Sequence, residues 1–244
     1  MSHAKRADLY LVEHGFYESR ARAQAAIAAG LVRVNGEALT KASRLIEATS
    51  KIEAESEHPY VSRGGVKLAA ALDHFKIDPN NRICLDIGSS TGGFTDCLLK
   101  RGARFIYAVD VGHDQFHASL RNNARVNLRE GCDARNLMRD DFDDVPSLIV
   151  VDVSFISLTL IIPKILPLAA PNAFLIALIK PQFEGSRAAL KKGLVREDAD
   201  RQAAIDRVTN AIIEEGWSIN GVIQSPIAGG DGNIEYLIAA EHHS

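Results

Sequence analysis

Four charged side chains occupy positions where an ionic group is costly. Lys67 lies at the start of a predicted helix over 66–74, and Glu235 sits inside the last predicted strand. Asp152 and Lys180 each end an apolar run that predicts a buried strand. A charge at a buried strand end is costly unless it is paired, so we expect these side chains to converge on one crevice. Lysines and carboxylates arranged in this way can take up and return a proton, although any one of them alone could equally be an ordinary ion pair.

A glycine-rich loop, residues 86–94, follows the first apolar strand and opens a predicted helix over 94–102. Glycine backbone can approach a ligand closely, and a helix N-terminus supplies unpaired N–H groups. The loop reads D-I-G-S-S-T-G-G-F, which lacks the G-x-G-x-x-G spacing of dinucleotide sites. No G-K-[ST] sequence occurs either, so a P-loop is disfavoured.

Two further acids follow neighbouring predicted strands. Asp110 ends the second strand, where a carboxylate can accept both hydroxyls of an adenosine ribose, and Asp133 follows the third, where it could face an adenine edge. Each acid alone is explained equally well as a loop cap. Their placement at successive strand ends favours a nucleoside site.

The elements that must position these residues are short apolar strands alternating with helices. Strands that are apolar on both faces predict a mostly parallel sheet covered by helices, with ligands bound at the carboxyl ends of the strands. The fold class expected is therefore α/β, with a seven-stranded sheet and helices on both faces. The predicted strands are 83–87, 105–110, 126–130, 147–152, 174–179, 219–223 and 234–239.

The glycine loop resembles the D-x-G-x-x-P-G-G-[WF] motif of the FtsJ-like ribose methyltransferases, with Thr91 in place of the usual Pro. The order Lys67, Asp152, Lys180, Glu235 is similar to the K-D-K-E tetrad of the same family, and the flanking sequences D-V-S-F, I-K-P-Q-F-E and G-N-I-E-Y match as well. The resemblance implies a Rossmann-like fold and S-adenosylmethionine as the cofactor. The residues that it implies at the methyl-donor site are Asp86, Gly88, Ser89, Ser90, Gly92, Gly93, Phe94, Asp110, Asp133 and Asp152.

This resemblance implies methylation of a ribose 2′-hydroxyl, whose oxygen must lose a proton as it attacks. An ordinary lysine, with a pKa of about 10.4, is charged at neutral pH and cannot accept that proton. Two lysines side by side would favour a neutral amine on one of them. We expect Lys180 to act as the general base or to stabilise the 2′-oxyanion, with Lys67 and Asp152 positioning it and Glu235 supporting the cluster.

The N-terminal part of the chain has a local excess of positive charge. Ser19 is a predicted helix cap, Gly30 ends that helix, and residues 31–37 form a strand that runs into an Asn-Gly turn. Between residues 19 and 45, five basic side chains stand against one acidic side chain. Such a patch suits a phosphate backbone, although a solvated helix face explains the charge equally well. The five basic residues are Arg20, Arg22, Arg33, Lys41 and Arg44.

The pattern over 19–36, S-R-x-x-A-x-x-x-I-x-x-G-x-V-x-V-N-G, resembles the RNA-binding domain of ribosomal small-subunit protein four. It implies binding to structured RNA through shape and phosphates. Together with S-R-G-G-V-K-L at 62–68, the chain resembles the TlyA family, often named hemolysins, in which this module precedes an FtsJ-like methyltransferase. The resemblance implies 2′-O-methylation of cytidine in the RNA of ribosomal subunits.

We expect a small α+β RNA-binding domain over 1–58, a linker over 59–65 and the methyltransferase domain over 66–244. The linker contains a Pro and two Gly, which is typical of a boundary. We hypothesise that it couples RNA docking to completion of the methyl-donor site.

Composition excludes several other classes. A net charge of −3 over 244 residues argues against a protein that coats nucleic acid with its whole surface. The three cysteines, Cys84, Cys97 and Cys132, show no C-x-x-C spacing, so neither a disulfide framework nor a metal site is expected. The polar N-terminus has no signal-peptide core, and prolines interrupt the apolar stretch 158–179. These features predict a cytoplasmic protein without membrane spans.

Three alternatives stay open on the sequence. A membrane-active hemolysin would need a span or a strongly amphipathic basic helix, and neither pattern is found. A non-catalytic ribosome-assembly factor would not need the tetrad. A small-molecule methyltransferase would not need the N-terminal module.

Overall fold

A computed structural model of the chain describes residues 4–17, 19–54, 58–185, 190–191, 193–229 and 232–243. The chain divides into two compact units, Met1–Pro59 and Tyr60–Ser244.

The first unit packs two short helices on small sheets. Ser19 caps the second helix by accepting a hydrogen bond from the Arg22 N–H at 3.3 Å, as the sequence predicts. Asn35 and Gly36 both have positive φ, as the predicted tight turn requires. Among the described residues, the unit contains β1 (Lys5–Arg6), α1 (Ala7–Glu13), α2 (Arg20–Ala28), β2 (Val32–Val34), β3 (Glu37–Ala38), β4 (Leu45–Ile46) and β5 (Ile52–Ala54), with β1 paired to β4 and a sheet in the order β3-β2-β5.

The second unit alternates helices and strands along most of its length. It begins with α3 (Gly64–Phe75), β6 (Ile83–Ile87), α4 (Gly93–Lys100), β7 (Phe105–Val109), α5 (Ala118–Arg121), β8 (Val126–Arg129) and β9 (Leu148–Val151). It continues with α6 (Ile162–Ile165), β10 (Phe174–Ile179), α7 (Pro181–Glu184), β11 (Leu190–Lys191), β12 (Leu194–Val195), α8 (Asp198–Glu214), β13 (Ser218–Gln224) and β14 (Tyr236–Glu241).

Seven of these strands form one sheet in the order β13-β14-β10-β9-β6-β7-β8. The pairs β10–β9, β9–β6, β6–β7 and β7–β8 are parallel, whereas β14 is antiparallel to both of its neighbours. The predicted α/β class with a seven-stranded, mostly parallel sheet is confirmed. After β6 the chain adds β7 and β8 towards one edge of the sheet, and then returns to place β9 on the other side of β6. The carboxyl ends of β6 and β9 therefore flank the topological switch point, where such folds bind ligands.

The core lies on both faces of this sheet. Leu85 and Ile149 point into one buried cluster, and their neighbours Cys84 and Leu148 point into the other. Because both faces are covered, β7, β9 and β10 have no charged residue at any position, and that is why they stand out in the sequence. The long helix α8 has a largely polar surface and was not among the helices predicted.

Candidate active site

A cavity of about 540 Å³ opens at the carboxyl ends of β6, β7 and β9. Its lining includes five residues that the sequence predicts at the methyl-donor site: Gly88, Ser90, Asp110, Asp133 and Asp152.

The glycine loop is held in place by backbone geometry. Gly88 has φ +82°, and a Cβ there would lie 2.3 Å from the Asp152 carbonyl oxygen, so only glycine fits between the two strand ends. The Asp110 carboxylate accepts hydrogen bonds from the N–H groups of Ser90 at 2.8 Å and Gly112 at 2.7 Å. The predicted ribose acid therefore also fixes the loop next to it.

Two polar groups below this loop lack partners. Asp86 is fully buried and accepts a hydrogen bond from the Thr95 hydroxyl at 2.6 Å, while its Oδ1 has no partner among the described residues. Burial raises the pKa of Asp86 to about 7. The buried Ser89 hydroxyl likewise has no partner there. Unsatisfied buried polar atoms beside a nucleoside-sized cavity fit a site that accepts a polar ligand.

The other residues predicted at the donor site either line the cavity or are buried beneath the glycine loop. Asp133 lines the cavity and accepts a charge-assisted hydrogen bond from the Arg135 guanidinium at 2.6 Å, which lowers the pKa of Asp133. Asp86, Ser89, Gly93 and Phe94 are buried around the loop rather than part of the cavity lining. Gly92 has φ +92° and is the N-cap residue of α4, and a Cβ there would lie 2.6 Å from Leu120.

The four tetrad residues form two ion pairs. Lys67 Nζ lies 2.5 Å from Glu235 Oε2, and both side chains are buried. Lys180 Nζ lies 2.6 Å from Asp152 Oδ1 and donates a hydrogen bond to Ser154 Oγ at 2.8 Å. Each lysine thus has a carboxylate, which offsets the cost of burying its charge.

The prediction that Glu235 sits inside the last strand is wrong. That strand begins at Tyr236, so Glu235 immediately precedes it. Because β14 is antiparallel and pairs Tyr236 with Ile179, its start lies at the same sheet edge as the end of β10. Glu235 therefore reaches the carboxyl edge from the opposite chain direction, next to the strand that Lys180 ends.

An exposed aromatic ring stands at the mouth of the cavity, and sequence reasoning passed over it. Phe155 is 91% exposed, has φ +65°, and its ring centroid lies 5.1 Å from that of Phe183. An L-residue is rare in this conformation, and strained residues cluster at functional sites. The sequence feature that could have identified Phe155 is its position three residues after Asp152, in the motif D-V-S-F.

The segment at the boundary packs against the glycine loop. The Val61 N–H donates to Asp96 Oδ2 at 2.9 Å, and a Cβ on Gly93 would lie 2.1 Å from Ser62 Oγ. The helix predicted to begin at residue 66 begins at Gly64, which places part of the predicted linker in α3. The residues just after the domain boundary therefore contact the start of α4.

In the first unit, the fully buried carboxylate of Asp8 forms ion pairs with two arginines. Asp8 accepts hydrogen bonds from Arg6 at 3.1 Å, Arg20 at 3.0 Å and Gln24 at 2.8 Å, and Arg6, its strongest partner, helps to lower the pKa of Asp8. Arg6 lies outside the window in which the sequence showed an excess of charge, so it was missed. Of the five predicted RNA-binding residues, Arg20, Arg33, Lys41 and Arg44 are exposed and Arg22 is half-buried.

Two kinds of feature are not found in the part of the chain that the structure describes. No three His, Cys, Asp or Glu side chains there are grouped so that they could hold a metal ion. No helix there is long and apolar enough to cross a membrane.

Known proteins resemble the chain over nearly its whole length. Residues 60–242 match the family model of the FtsJ-like methyltransferases, and residues 5–52 match the S4 domain. "Hemolysin A" of Brachyspira hyodysenteriae is 47% identical over 95% of this chain and 98% of its own length. "16S/23S rRNA (cytidine-2'-O)-methyltransferase TlyA" of Mycobacterium tuberculosis is 39% identical over 98% of this chain and 90% of its own length. The solved structure of a hemolysin-named protein from Streptococcus thermophilus superposes with a TM-score of 0.79 at 38% identity, and it covers 100% of this chain and 90% of that chain.

Proposed function

Because this chain belongs to the FtsJ-like methyltransferase family and carries an S4 domain, we propose that it methylates the ribose 2′-hydroxyl of cytidine in ribosomal RNA, with S-adenosylmethionine as the methyl donor.

One observation carries the proposal. Asp152 lines the cavity and is also the ion-pair partner of Lys180. A single carboxylate therefore connects a nucleoside-sized cavity to a buried lysine, which is the arrangement needed when a methyl donor and a proton acceptor must meet at one oxygen atom.

The donor would be held mainly by the glycine loop and the acids at the strand ends. Asp110 would accept hydrogen bonds from the ribose hydroxyls, and Asp133 and the loop backbone at Gly88 line the remaining space. Asp86 and Ser89 would support the loop from beneath, each with one polar atom that has no partner among the described residues. When bound, S-adenosylmethionine supplies an electrophilic methyl group.

The chain's own residues would handle the substrate proton. Lys180, held by Asp152 and Ser154, would accept the 2′-hydroxyl proton if it were a neutral amine, and as an ammonium it would stabilise the oxygen as its negative charge develops. Lys67 and Glu235 form the second ion pair at the same sheet edge and keep that edge polar. Alignment of the oxygen with the methyl group would supply most of the rate.

RNA recognition is assigned to the S4 domain. Its exposed arginines and lysine can neutralise phosphates, and Asp8 fixes the directions of Arg6 and Arg20. Relatives whose names specify rRNA (cytidine-2'-O)-methyltransferase activity cover most of the chain, and they support cytidine in ribosomal RNA as the substrate. We assign the activity to the cytoplasm, where ribosomal subunits are present, and we propose that it needs no metal.

The decisive experiment is transfer of radiolabelled methyl groups from S-adenosylmethionine to purified ribosomal subunits, followed by nuclease mapping of the product. We expect label on the 2′-oxygen of cytidine, with activity unaffected by a chelator. Label on a base, or only on small molecules, would contradict the proposal. Because several relatives carry the name hemolysin, the same protein is added to dye-filled liposomes, and we expect no leakage.

A further inference from the structure

The loop that follows Asp152 holds an unfavourable conformation without help from its own side chain. Phe155 has φ +65°, which L-residues avoid, yet its ring is 91% exposed. Burial of the ring therefore cannot fix the backbone here. Other residues must hold the loop in place.

Two ties from one segment flank this residue. Before it, the Ser154 hydroxyl accepts a hydrogen bond from Lys180 at 2.8 Å. After it, the Glu184 carboxylate accepts hydrogen bonds from the Leu158 N–H at 2.9 Å and from the Ser157 hydroxyl. Both ties come from the segment that follows β10, one from its first residue and the other from the end of α7.

The second tie involves a carboxylate in a costly place. Glu184 is only 4% exposed, and burial raises its pKa. A buried carboxylate needs hydrogen bonds to compensate for lost hydration, and those from Ser157 and Leu158 provide them. Its neighbour Phe183 meets the Phe155 ring. Residues 180–184 thus contact the loop at three places: before Phe155, at its ring and after it.

We infer that Glu184 is a positioning residue: by holding Ser157 and Leu158, it sets the conformation of the loop that presents Ser154 to Lys180 and Phe155 to the substrate. Glu184 does not line the cavity, so its effect on the site would be indirect, through this loop. The inference rests on the proposed function for its catalytic consequence. Its structural part, the restraint of the loop, can be measured without RNA.

The test compares Glu184→Gln, which replaces a charged acceptor by a neutral one, with Ser157→Ala, which removes the hydroxyl bond to Glu184, and with the double variant. Asp141→Asn is the control, because Asp141 also accepts a backbone N–H, that of Met138 at 2.7 Å, at the start of the 3₁₀ turn Arg139–Asp141, as Glu184 does at the start of the 3₁₀ turn Leu158–Leu160. Asp141 does not line the cavity either. Three quantities are measured: amide hydrogen exchange of residues 153–158, the Kd for S-adenosylmethionine, and kcat and KM on ribosomal subunits.

For Glu184→Gln we expect faster exchange at Leu158 and its neighbours, a kcat lower by roughly 10-fold and a Kd for the donor within about twofold of the parent. The double variant should cost less than the sum of the two single variants, because both changes act on the bond between Ser157 and Glu184. Asp141→Asn should leave the exchange of this loop and kcat unchanged.

Parental exchange at Leu158 in Glu184→Gln would overturn the inference. So would a loss of donor binding and turnover together, matched by Asp141→Asn, because that pattern indicates a general loss of stability. If the parental protein methylates no RNA, the proposed function fails, and the exchange comparison still decides the role of Glu184: faster exchange confined to 153–158 supports it, and unchanged exchange rejects it.

Discussion

Lys180 Nζ and Asp152 Oδ1 lie 2.6 Å apart, at the ends of two strands that are parallel neighbours in the sheet. The same carboxylate borders the cavity formed by the glycine loop. This contact joins the part of the site that would hold the methyl donor to the part that would remove a proton, so the two functions should be separable by substitution on either side of it.

Replacing the lysine should abolish chemistry and leave donor binding intact. We expect Lys180→Ala to lower kcat on ribosomal subunits by about 100-fold or more, because general base and electrostatic contributions are of that size. Calorimetry should give a Kd for S-adenosylmethionine close to that of the parent. Lys164→Ala is the control, since Lys164 is an exposed lysine on α6. A parental rate in Lys180→Ala would refute the assignment.

Stability should depend on pH through Asp86. Burial raises its pKa from 3.8 to about 7, so between these values the folded state binds a proton that the unfolded chain has released. The stability that protonated Asp86 contributes is fully present below about pH 4 and is lost as the pH rises through about 7. The free energy of unfolding should fall by about 4 kcal/mol over this range. Asp86→Asn, which keeps an acceptor for Thr95, should remove this fall. Urea unfolding at a series of pH values measures it, and parallel curves for parent and variant would contradict it.

Crowding at the start of α4 should weaken donor binding. A Cβ on Gly93 would lie 2.1 Å from the Ser62 hydroxyl, so Gly93→Ala must displace the 60–62 segment or the helix terminus. We expect the Kd for S-adenosylmethionine to rise by roughly 10-fold, about 1.4 kcal/mol. Ser62→Gly in the same chain should restore most of the affinity, whereas Ser62→Gly alone should be close to the parent. No recovery in the double variant would place the defect elsewhere.

The coupling hypothesis for the boundary segment has a separate test. Tyr60 and Arg63 lie on either side of Val61 and Ser62, and the Val61 N–H donates a hydrogen bond to Asp96 on α4. Tyr60→Ala or Arg63→Ala should therefore lower donor affinity or turnover. Unchanged donor Kd and kcat in both variants would reject the hypothesis.

The exposed ring of Phe155 should serve the RNA substrate. Aromatic side chains stack on unpaired bases, so Phe155→Ala should lower turnover on RNA and leave the donor Kd unchanged. Phe155→Gly should lower turnover to the same extent as Phe155→Ala. Its free energy of unfolding should be higher than that of Phe155→Ala by about 1 kcal/mol, because glycine tolerates φ +65°. Phe155→Tyr should retain activity. Equal stability of the Gly and Ala variants would show that the backbone at this position relaxes.

Phosphate contacts in the S4 domain should appear in the salt dependence of RNA binding. Arg20→Ala should weaken binding and reduce the slope of log K against log salt by about 1. Arg104→Ala is the control, because Arg104 is also an exposed arginine with a carboxylate partner but lies in the second unit. A slope equal to that of the parent would remove Arg20 from the RNA contacts.

The sequence predicted the sheet well because its strands are buried on both faces. Runs such as 83–87 and 174–179 coincide with β6 and β10. It also identified both members of each ion pair, since a charge beside an apolar run is conspicuous. It could not give the partners: Lys67 and Glu235 are 168 positions apart, and only the sheet order brings them together.

The remaining differences have a common origin in tertiary context. The positive φ of Phe155 is imposed by neighbours rather than by a glycine. Glu184 is only the last residue of the motif I-K-P-Q-F-E until its bonds to Ser157 and Leu158 are seen. Arg6 joins Arg20 only because a buried carboxylate, Asp8, lies between them.

The pairing of Lys67 with Glu235 also bears on the order in which the protein matures on the ribosome. The S4 domain is made first, and domains generally fold as units during synthesis. The parallel strands through β10 can assemble next, with Lys180 and Asp152 already in contact. Lys67 then waits without its carboxylate until the last strand has been translated and inserted beside β10. The second ion pair therefore forms only once β14 has joined the sheet, whereas the first needs only strands that precede it in the chain.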